Sequence, residues 1–169
     1  MKVSIIAAMD RKRGIGKENK IPWHLRDDLI KLKRLTKDHV VILGRKTYDS
    51  MVWYYNKSGN PMPGKLYIVV THDKDYKPAR ENAQVVHSLE QAISFARSHL
   101  AKLDEIFIIG GAQIFQQALP FANKLYLTIV EGDYSCDTFF PDYSEFKKII
   151  FEEKRESDGF KYTFKEFKK

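Results

Sequence analysis

The chain has 169 residues, 43% of them apolar and 30% charged, a length and balance that fit one soluble globular unit spanning residues 1–169 and exclude fibrous and disordered classes. Its net charge is +7; basic side chains outnumber acidic ones 13 to 6 over residues 1–50 and 6 to 4 over 51–100, whereas acidic ones lead 12 to 10 thereafter. A positive field confined to the first hundred residues points to an anionic partner, whether nucleic acid, an acidic membrane or a small phosphorylated cofactor. One cysteine, Cys136, excludes an internal disulfide and any multi-cysteine metal site. The apolar run from Val3 to Met9 is too short to span a bilayer, and the basic triplet Arg11-Lys12-Arg13 follows it instead of preceding it as in a signal peptide. The expected location is therefore the cytoplasm.

Runs of strand length rich in Ile and Val recur at 3–8, 40–43, 66–70, 84–86, 106–109 and 125–130. Several lack alternation, which suits strands buried on both faces. Helical segments fall between them at 26–36, 46–51, 89–99 and 112–119, the third opened by Ser88 as N-cap. Such alternation predicts a predominantly parallel sheet covered on both sides. The end differs: 149–154 and 160–167 flank Ser157-Asp158-Gly159, the pattern of an antiparallel hairpin. Its second strand is expected to be an edge that buries Phe160, Tyr162 and Phe164 on one face. The fold class is thus α/β, a parallel sheet finished by an antiparallel C-terminal hairpin.

The first helix places its two aspartates differently. With Asp28 at zero and 100° per residue, Leu25, Leu29, Leu32 and Leu35 fall between about −20° and +100°, so Asp28 lies inside the apolar stripe. A carboxylate there is either a buried structural group or an anchor for an amidine-like ligand, which it can grip with two parallel hydrogen bonds, and burial raises its proton affinity. Asp27 falls on the other side with Lys31 and Arg34, where a solvated ion pair is expected.

Upstream, Gly14-Ile15-Gly16-Lys17-Glu18-Asn19-Lys20-Ile21-Pro22-Trp23 reads either as a mobile lid or as an ordinary surface connection. Two strand ends carry glycine before a helix, Val41-Ile42-Leu43-Gly44 into Arg45-Lys46-Thr47 and Ile106-Phe107-Ile108-Ile109 into Gly110-Gly111-Ala112. Free N–H groups at such helix starts favour an anion, though neither matches a stock phosphate fingerprint. Metal and acyl-enzyme chemistry lack candidates: the histidines at 24, 39, 72, 87 and 99 include no zinc-binding pair, and no G-x-S-x-G is present. Gly159-Phe160-Lys161-Tyr162-Thr163-Phe164 loosely echoes an RNA-binding strand, but Asp158 stands where a basic residue is required.

In order and spacing, these segments resemble dihydrofolate reductase of the bacterial type. The likeness rests on Ile5-Ile6-Ala7-Ala8, Gly14-Ile15-Gly16 with Asn19, Pro22-Trp23, Leu25 and Asp28-Leu29, then on Gly44-Arg45-Lys46-Thr47-Tyr48 with Ser50, and on Pro61-Met62-Pro63-Gly64. It continues through Ile109-Gly110-Gly111-Ala112, Leu125-Tyr126-Leu127-Thr128 and Asp137-Thr138-Phe139-Phe140-Pro141. The resemblance implies an eight-stranded sheet with about four helices, and NADPH-dependent reduction of 7,8-dihydrofolate to tetrahydrofolate in support of one-carbon and thymidylate metabolism. Diaminopyrimidine and pteridine antifolates are the implied inhibitors. A monomer with no metal, nucleic-acid or membrane partner is expected.

Carried over residue by residue, the resemblance makes Asp28 the single ionisable group of the pterin pocket, supported by Thr128, with Trp23 in a lid spanning residues 16–24. Ile6, Leu29, Leu32, Met51, Ile109 and Phe115 would line the pterin and benzoyl site. Ala8 and Ile15 would meet the nicotinamide carboxamide, with Gly16, Asn19 and Lys20 in the same loop. Gly44, Arg45, Lys46, Thr47, Thr71, His72 and His87 would hold the adenosine phosphate; Gly110, Gly111, Ala112, Gln113, Ile114 and Phe115 would hold the pyrophosphate. Lys65 stands where many members have an arginine that grips the substrate's α-carboxylate, and lysine offers a point charge without a fork. Leu32 and Phe115 stand where an aromatic and a tyrosine are common, and residues 52–60 read as an insertion whose Trp53, Tyr54 and Tyr55 wall the pocket or cover the core. The rival readings are a pyrimidine reductase of flavin synthesis with the same fold and cofactor, disfavoured by Asp28 in its leucine stripe after Pro22-Trp23, and a basic nucleic-acid-binding module.

Overall fold

The computed structural model describes residues 1–99 and 104–169. Its main sheet has eight strands in the order β5-β4-β3-β6-β1-β7-β10-β9. These are β1 (Lys2–Asp10), β3 (Val40–Gly44), β4 (Leu66–Val70), β5 (Ala83–Val86), β6 (Glu105–Ile108), β7 (Lys124–Val130), β9 (Lys148–Ser157) and β10 (Phe160–Lys168). The pairs from β5 through to β7 are parallel, and β10 is antiparallel to both β7 and β9. Strand β10 is therefore interior and β9 is the edge. Tyr162 and Phe164 are buried as expected, while Phe160 is only half-buried. Asp158 and Gly159 both have positive φ, 54° and 80°, the backbone a two-residue hairpin turn needs to match strand twist.

Four helices are present among the described residues: α1 (Arg26–Thr36), α2 (Arg45–Ser58), α3 (Leu89–His99) and α4 (Ala112–Ala118), the last followed by a 3-10 turn at Leu119–Phe121. Ser88 Oγ accepts the Gln91 N–H at 3.1 Å, which caps α3 as expected. Helix α2 is longer than the 46–51 expected. It runs seven residues past Met51 to Ser58 and stops at Gly59, whose φ is 74° and whose N–H donates to Tyr55 O. The segment continues a helix whose inner face buries Val52, while Trp53 and Tyr54 point to solvent.

Sheet parity assigns the helices to faces. Ile5, Ile108 and Ile42 are register partners and share a cluster with α3 and α4 residues such as Ala92, Ile93 and Ile114. On the opposite face, Ile6, Phe107 and Tyr126 pack against Leu32 and Leu35 of α1, whereas Val41, Leu43, Tyr67 and Val69 pack against Tyr48 and Val52 of α2. Ile109 touches both groups. Helices α1 and α2 thus cover one face side by side, α1 over β1, β6 and β7 and α2 over β3 and β4, with Ile109 at the seam between them. A second, two-stranded sheet pairs β2 (Gly14–Gly16) with β8 (Thr138–Phe139); neither is foreseen from sequence, being too short to show periodicity.

Candidate active site

Asp28 of α1 and Thr128 of β7 meet on this face of the sheet. Thr128, on β7 opposite Ala8 of β1, is 3% exposed, and its hydroxyl donates to Asp28 Oδ1 at 2.6 Å. Burial pushes the Asp28 carboxyl above the usual carboxylate range, and the Thr128 bond and the Lys31 charge partly offset it. Such a carboxyl keeps its proton to higher pH than an exposed aspartate does and retains acceptor capacity on its outer oxygen.

Asp27 does lie on another side, but its partners are not those expected. Its Oδ2 accepts the Tyr162 phenol at 2.6 Å and faces Arg155 Nη1 at 3.6 Å. Lys31 is not a surface group either: it is 8% exposed, with Nζ 4.2 Å from the Phe164 ring centroid. A lysine on a helix flank reads as solvated in sequence, so only the packing of β10 against α1 reveals this one.

Of the expected pocket residues, Ile6 of β1 and Leu32 of α1, one turn after Asp28, share one cluster, Met51 of α2 belongs to the next, and Ile109 joins both. Leu29, half-buried, adjoins Asp28 on the helix. Phe115 is elsewhere: it is 4% exposed in the α3–α4 core, with its ring 5.0 Å from that of Phe140. A Cβ on Gly110 would stand 3.0 Å from that ring, and Gly110 has φ +119°, so only glycine fits where the chain leaves β6.

The two glycine-bearing strand ends adjoin. Gly44 N–H donates to Gly110 O at 2.8 Å, and the Gly110–Gly111 peptide is cis. Helix α2 starts here with no side-chain cap, which leaves its first N–H groups and the exposed Arg45 and Lys46 for an anion. Thr47 Oγ1 would lie 3.7 Å from a Cβ on Gly111. Ala112 and the exposed Gln113 open α4, while Ile114 is buried beneath. Farther along, Arg45 Nη1 lies 3.2 Å from Asp73 and Nε 3.9 Å from Asp49. Thr71 O contacts His87 Nδ1 at 2.8 Å, and His72 is exposed beside it. Basic and hydroxyl groups thus continue from the glycines along the ends of β3 and β4.

The segment after β1 is tethered. Lys17 and Lys20 exchange backbone hydrogen bonds around Glu18 and Asn19, which have φ of 50° and 62°. Asp137 N–H donates to Gly16 O at 3.0 Å, and Asp137 Oδ2 accepts the Glu18 N–H at 2.9 Å. Ile15 packs on the main core; Trp23 is 6% exposed, edge-on to Tyr134 at 5.2 Å. Sequence reasoning does not assign Asp137 a role, although it lies within a segment that carries the resemblance. Lys65 is exposed, and its N–H is held by His39 O at 2.8 Å. No cluster able to hold a metal ion occurs among the described residues, and no helix there is long and apolar enough to cross a membrane.

The family model for dihydrofolate reductase matches residues 2–169. The chain belongs to the dihydrofolate reductase family. It is 35% identical to the dihydrofolate reductase of Staphylococcus haemolyticus over 97% of this chain and 93% of that one. It is also 35% identical to that of Bacillus subtilis, over 99% and 94%. A solved dihydrofolate reductase from Enterococcus faecalis, complexed with NADP(H) and RAB-propyl, superposes with a TM-score of 0.80 at 28% identity, covering 99% of this chain and 95% of that one. The family's eight-stranded sheet with its antiparallel edge is the architecture found here.

Proposed function

We propose that this chain reduces 7,8-dihydrofolate to 5,6,7,8-tetrahydrofolate with NADPH, acting in the cytoplasm as a monomer of one folding unit. The observation that carries this is the Asp28–Thr128 pair, a half-buried carboxyl whose proton affinity is raised by desolvation, on the apolar side of α1. Asp28 accepts hydrogen bonds from the pterin 2-amino group and N3, and its raised proton affinity promotes protonation at N5. Thr128 fixes the carboxyl's orientation. Ile6, Leu29, Leu32, Met51 and Ile109 present the apolar surface against which the ring system stacks, and they keep water from the reacting face. Phe115 acts through Gly110, holding the turn that borders the site.

The residues at the glycine-bearing strand ends fit a dinucleotide. Gly44 approaches Gly110 closely enough for a direct backbone hydrogen bond, and the uncapped start of α2 has Arg45, Lys46 and Thr47 to receive phosphate, with Thr71, His72 and His87 alongside. Ala8, Ile15 and Gly16 offer backbone groups to the carboxamide, and the 16–24 segment with Asn19, Lys20 and Trp23 covers it. When bound, NADPH supplies the hydride that passes to pterin C6. The protein's own contribution is to hold the two rings face to face and to exclude solvent. Lys65 attracts the substrate's glutamate carboxylate. Diaminopyrimidine and pteridine antifolates, which carry the same amidine-like edge, compete at Asp28.

Loss of nicotinamide absorbance on mixing the protein with NADPH and dihydrofolate tests the reading. Stoichiometric tetrahydrofolate is expected. Absence of oxidation with dihydrofolate, together with turnover of a ribosylaminouracil phosphate, would replace it with the pyrimidine reductase.

A further inference from the structure

Lys31 is a buried cation that the reaction as described does not use. It lies three residues after Asp28 on α1, the spacing that puts two side chains on neighbouring positions of a helix surface. The side chain is 8% exposed. Its ammonium has no carboxylate within ion-pair distance among the described residues; it rests against aromatic faces, 4.2 Å from the Phe164 centroid, 5.9 Å from Phe151 and 6.0 Å from Tyr126. It also lines a cavity of about 290 Å³ between α1 and the β9–β10 hairpin.

The charges around it come from every packed element. Helix α1 contributes Asp27, Asp28 and Arg34, β10 contributes Glu166, β9 contributes Glu153 and Arg155, and β7 contributes the Tyr126 phenol. Desolvation draws the Lys31 amine below its ordinary value, while Glu166 and Asp28 favour its charged form. Asp27 is satisfied by Tyr162 and Arg155, and Glu153 by Arg155 at 2.6 Å. Asp28 has no such cation within ion-pair distance. Lys31, on the neighbouring position of the same helix face, is the cation whose charge favours the Asp28 carboxylate.

We propose that Lys31 is a positioning residue for the reaction, a fixed positive charge behind Asp28 that sets the pH range over which the acid site keeps its proton. This rests on the reading of Asp28 as the group that promotes protonation at N5. A cation three residues along the same helix disfavours a proton anywhere on the coupled carboxyl and pterin, so the effect has one sign whichever of the two carries it. In Lys31→Met the aliphatic packing on Phe164 persists and the charge is gone.

The test compares wild type, Lys31→Met, Lys31→Arg and Asp28→Asn in two readouts: the pH dependence of dihydrofolate reduction, and the carboxyl carbon chemical shift of Asp28 in ligand-free, isotope-labelled protein. Lys31→Met should move both midpoints up by roughly half to one pH unit, which is a three- to tenfold faster rate on the alkaline limb. Lys31→Arg should restore the wild-type midpoints. A folded Lys31→Met protein whose Asp28 midpoint stays at the wild-type value, with or without a change in kcat, overturns the proposal. An Asp28→Asn protein with an unchanged pH profile overturns the underlying reading of Asp28 instead.

Discussion

The hydroxyl of Thr128 donates a 2.6 Å hydrogen bond to Asp28, joining the centre of β7 to the first turn of α1 across 100 positions of sequence. Burial alone disfavours the carboxylate, and this bond restores part of its stability. A hydrogen bond to an ionised group contributes about 1.5–3 kcal/mol. Thr128→Val, which keeps the side-chain shape, should therefore shift the Asp28 midpoint upward and weaken dihydrofolate binding at neutral pH by tenfold or more. Fluorescence titration of Trp23 and Trp53 against dihydrofolate across pH measures both; unchanged affinity would show that the bond is structural only.

The same carboxyl makes the fold less stable at neutral pH. Its folded-state proton affinity is raised above that of the unfolded chain, so its favourable contribution is complete only below the unfolded carboxylate range, near pH 4. That contribution is lost as pH rises through the folded-state midpoint. Asp28→Asn cannot ionise, so its stability should match wild type in acid and exceed it increasingly toward pH 8. Urea unfolding at several pH values checks this, and parallel curves for the two proteins would contradict it.

Periodicity was enough to separate Asp28 from Asp27, because the leucines at 25, 29, 32 and 35 mark one face of a single helix. Strand runs and the Asp158-Gly159 turn were equally local and equally legible. Long-range partners were not: nothing local in the sequence ties Thr128 to Asp28, Tyr162 to Asp27 or Phe164 to Lys31, and the first is available only through the resemblance. The helical pattern at 46–51 loses its stripe among Trp53, Tyr54 and Tyr55, so the helix's true length is not legible; Val52 on the inner face and Gly59 at the stop carry it to Ser58. The expected Asp27–Lys31 pairing failed because tertiary packing by β9 and β10 supplied better partners than the helix neighbours.

Arg45 is already engaged, 3.2 Å from Asp73 and 3.9 Å from Asp49, at a surface where such pairs contribute little. A doubly charged phosphate should therefore displace them. Arg45→Ala should weaken NADPH binding tenfold or more, the scale of one charge-assisted hydrogen bond, and leave NADH binding nearly unaltered. Equal losses for the two cofactors would move the phosphate site elsewhere.

Lys65 has its backbone fixed by His39 and its ammonium exposed. A mobile point charge adds binding energy to a remote carboxylate without orienting the reacting rings. Lys65→Ala should raise the KM for dihydrofolate several-fold with little change in kcat, and should flatten the salt dependence of KM. An unaltered KM at low salt would assign the tail to another basic group such as Arg34.

The pH profile of NADPH oxidation by dihydrofolate in Asp28→Asn and Asp27→Asn, set beside wild type, tests the central claim most directly. Asp28→Asn should fold, lose on the order of a hundredfold or more in rate at neutral pH, the scale of a lost proton-transfer role, and lose the wild-type pH dependence. Asp27→Asn, whose contacts are Tyr162 and Arg155 on the far side of the helix, should retain near wild-type rates. Comparable losses in both variants, or a fully active Asp28→Asn protein, would contradict the assignment of the proton-handling site to Asp28.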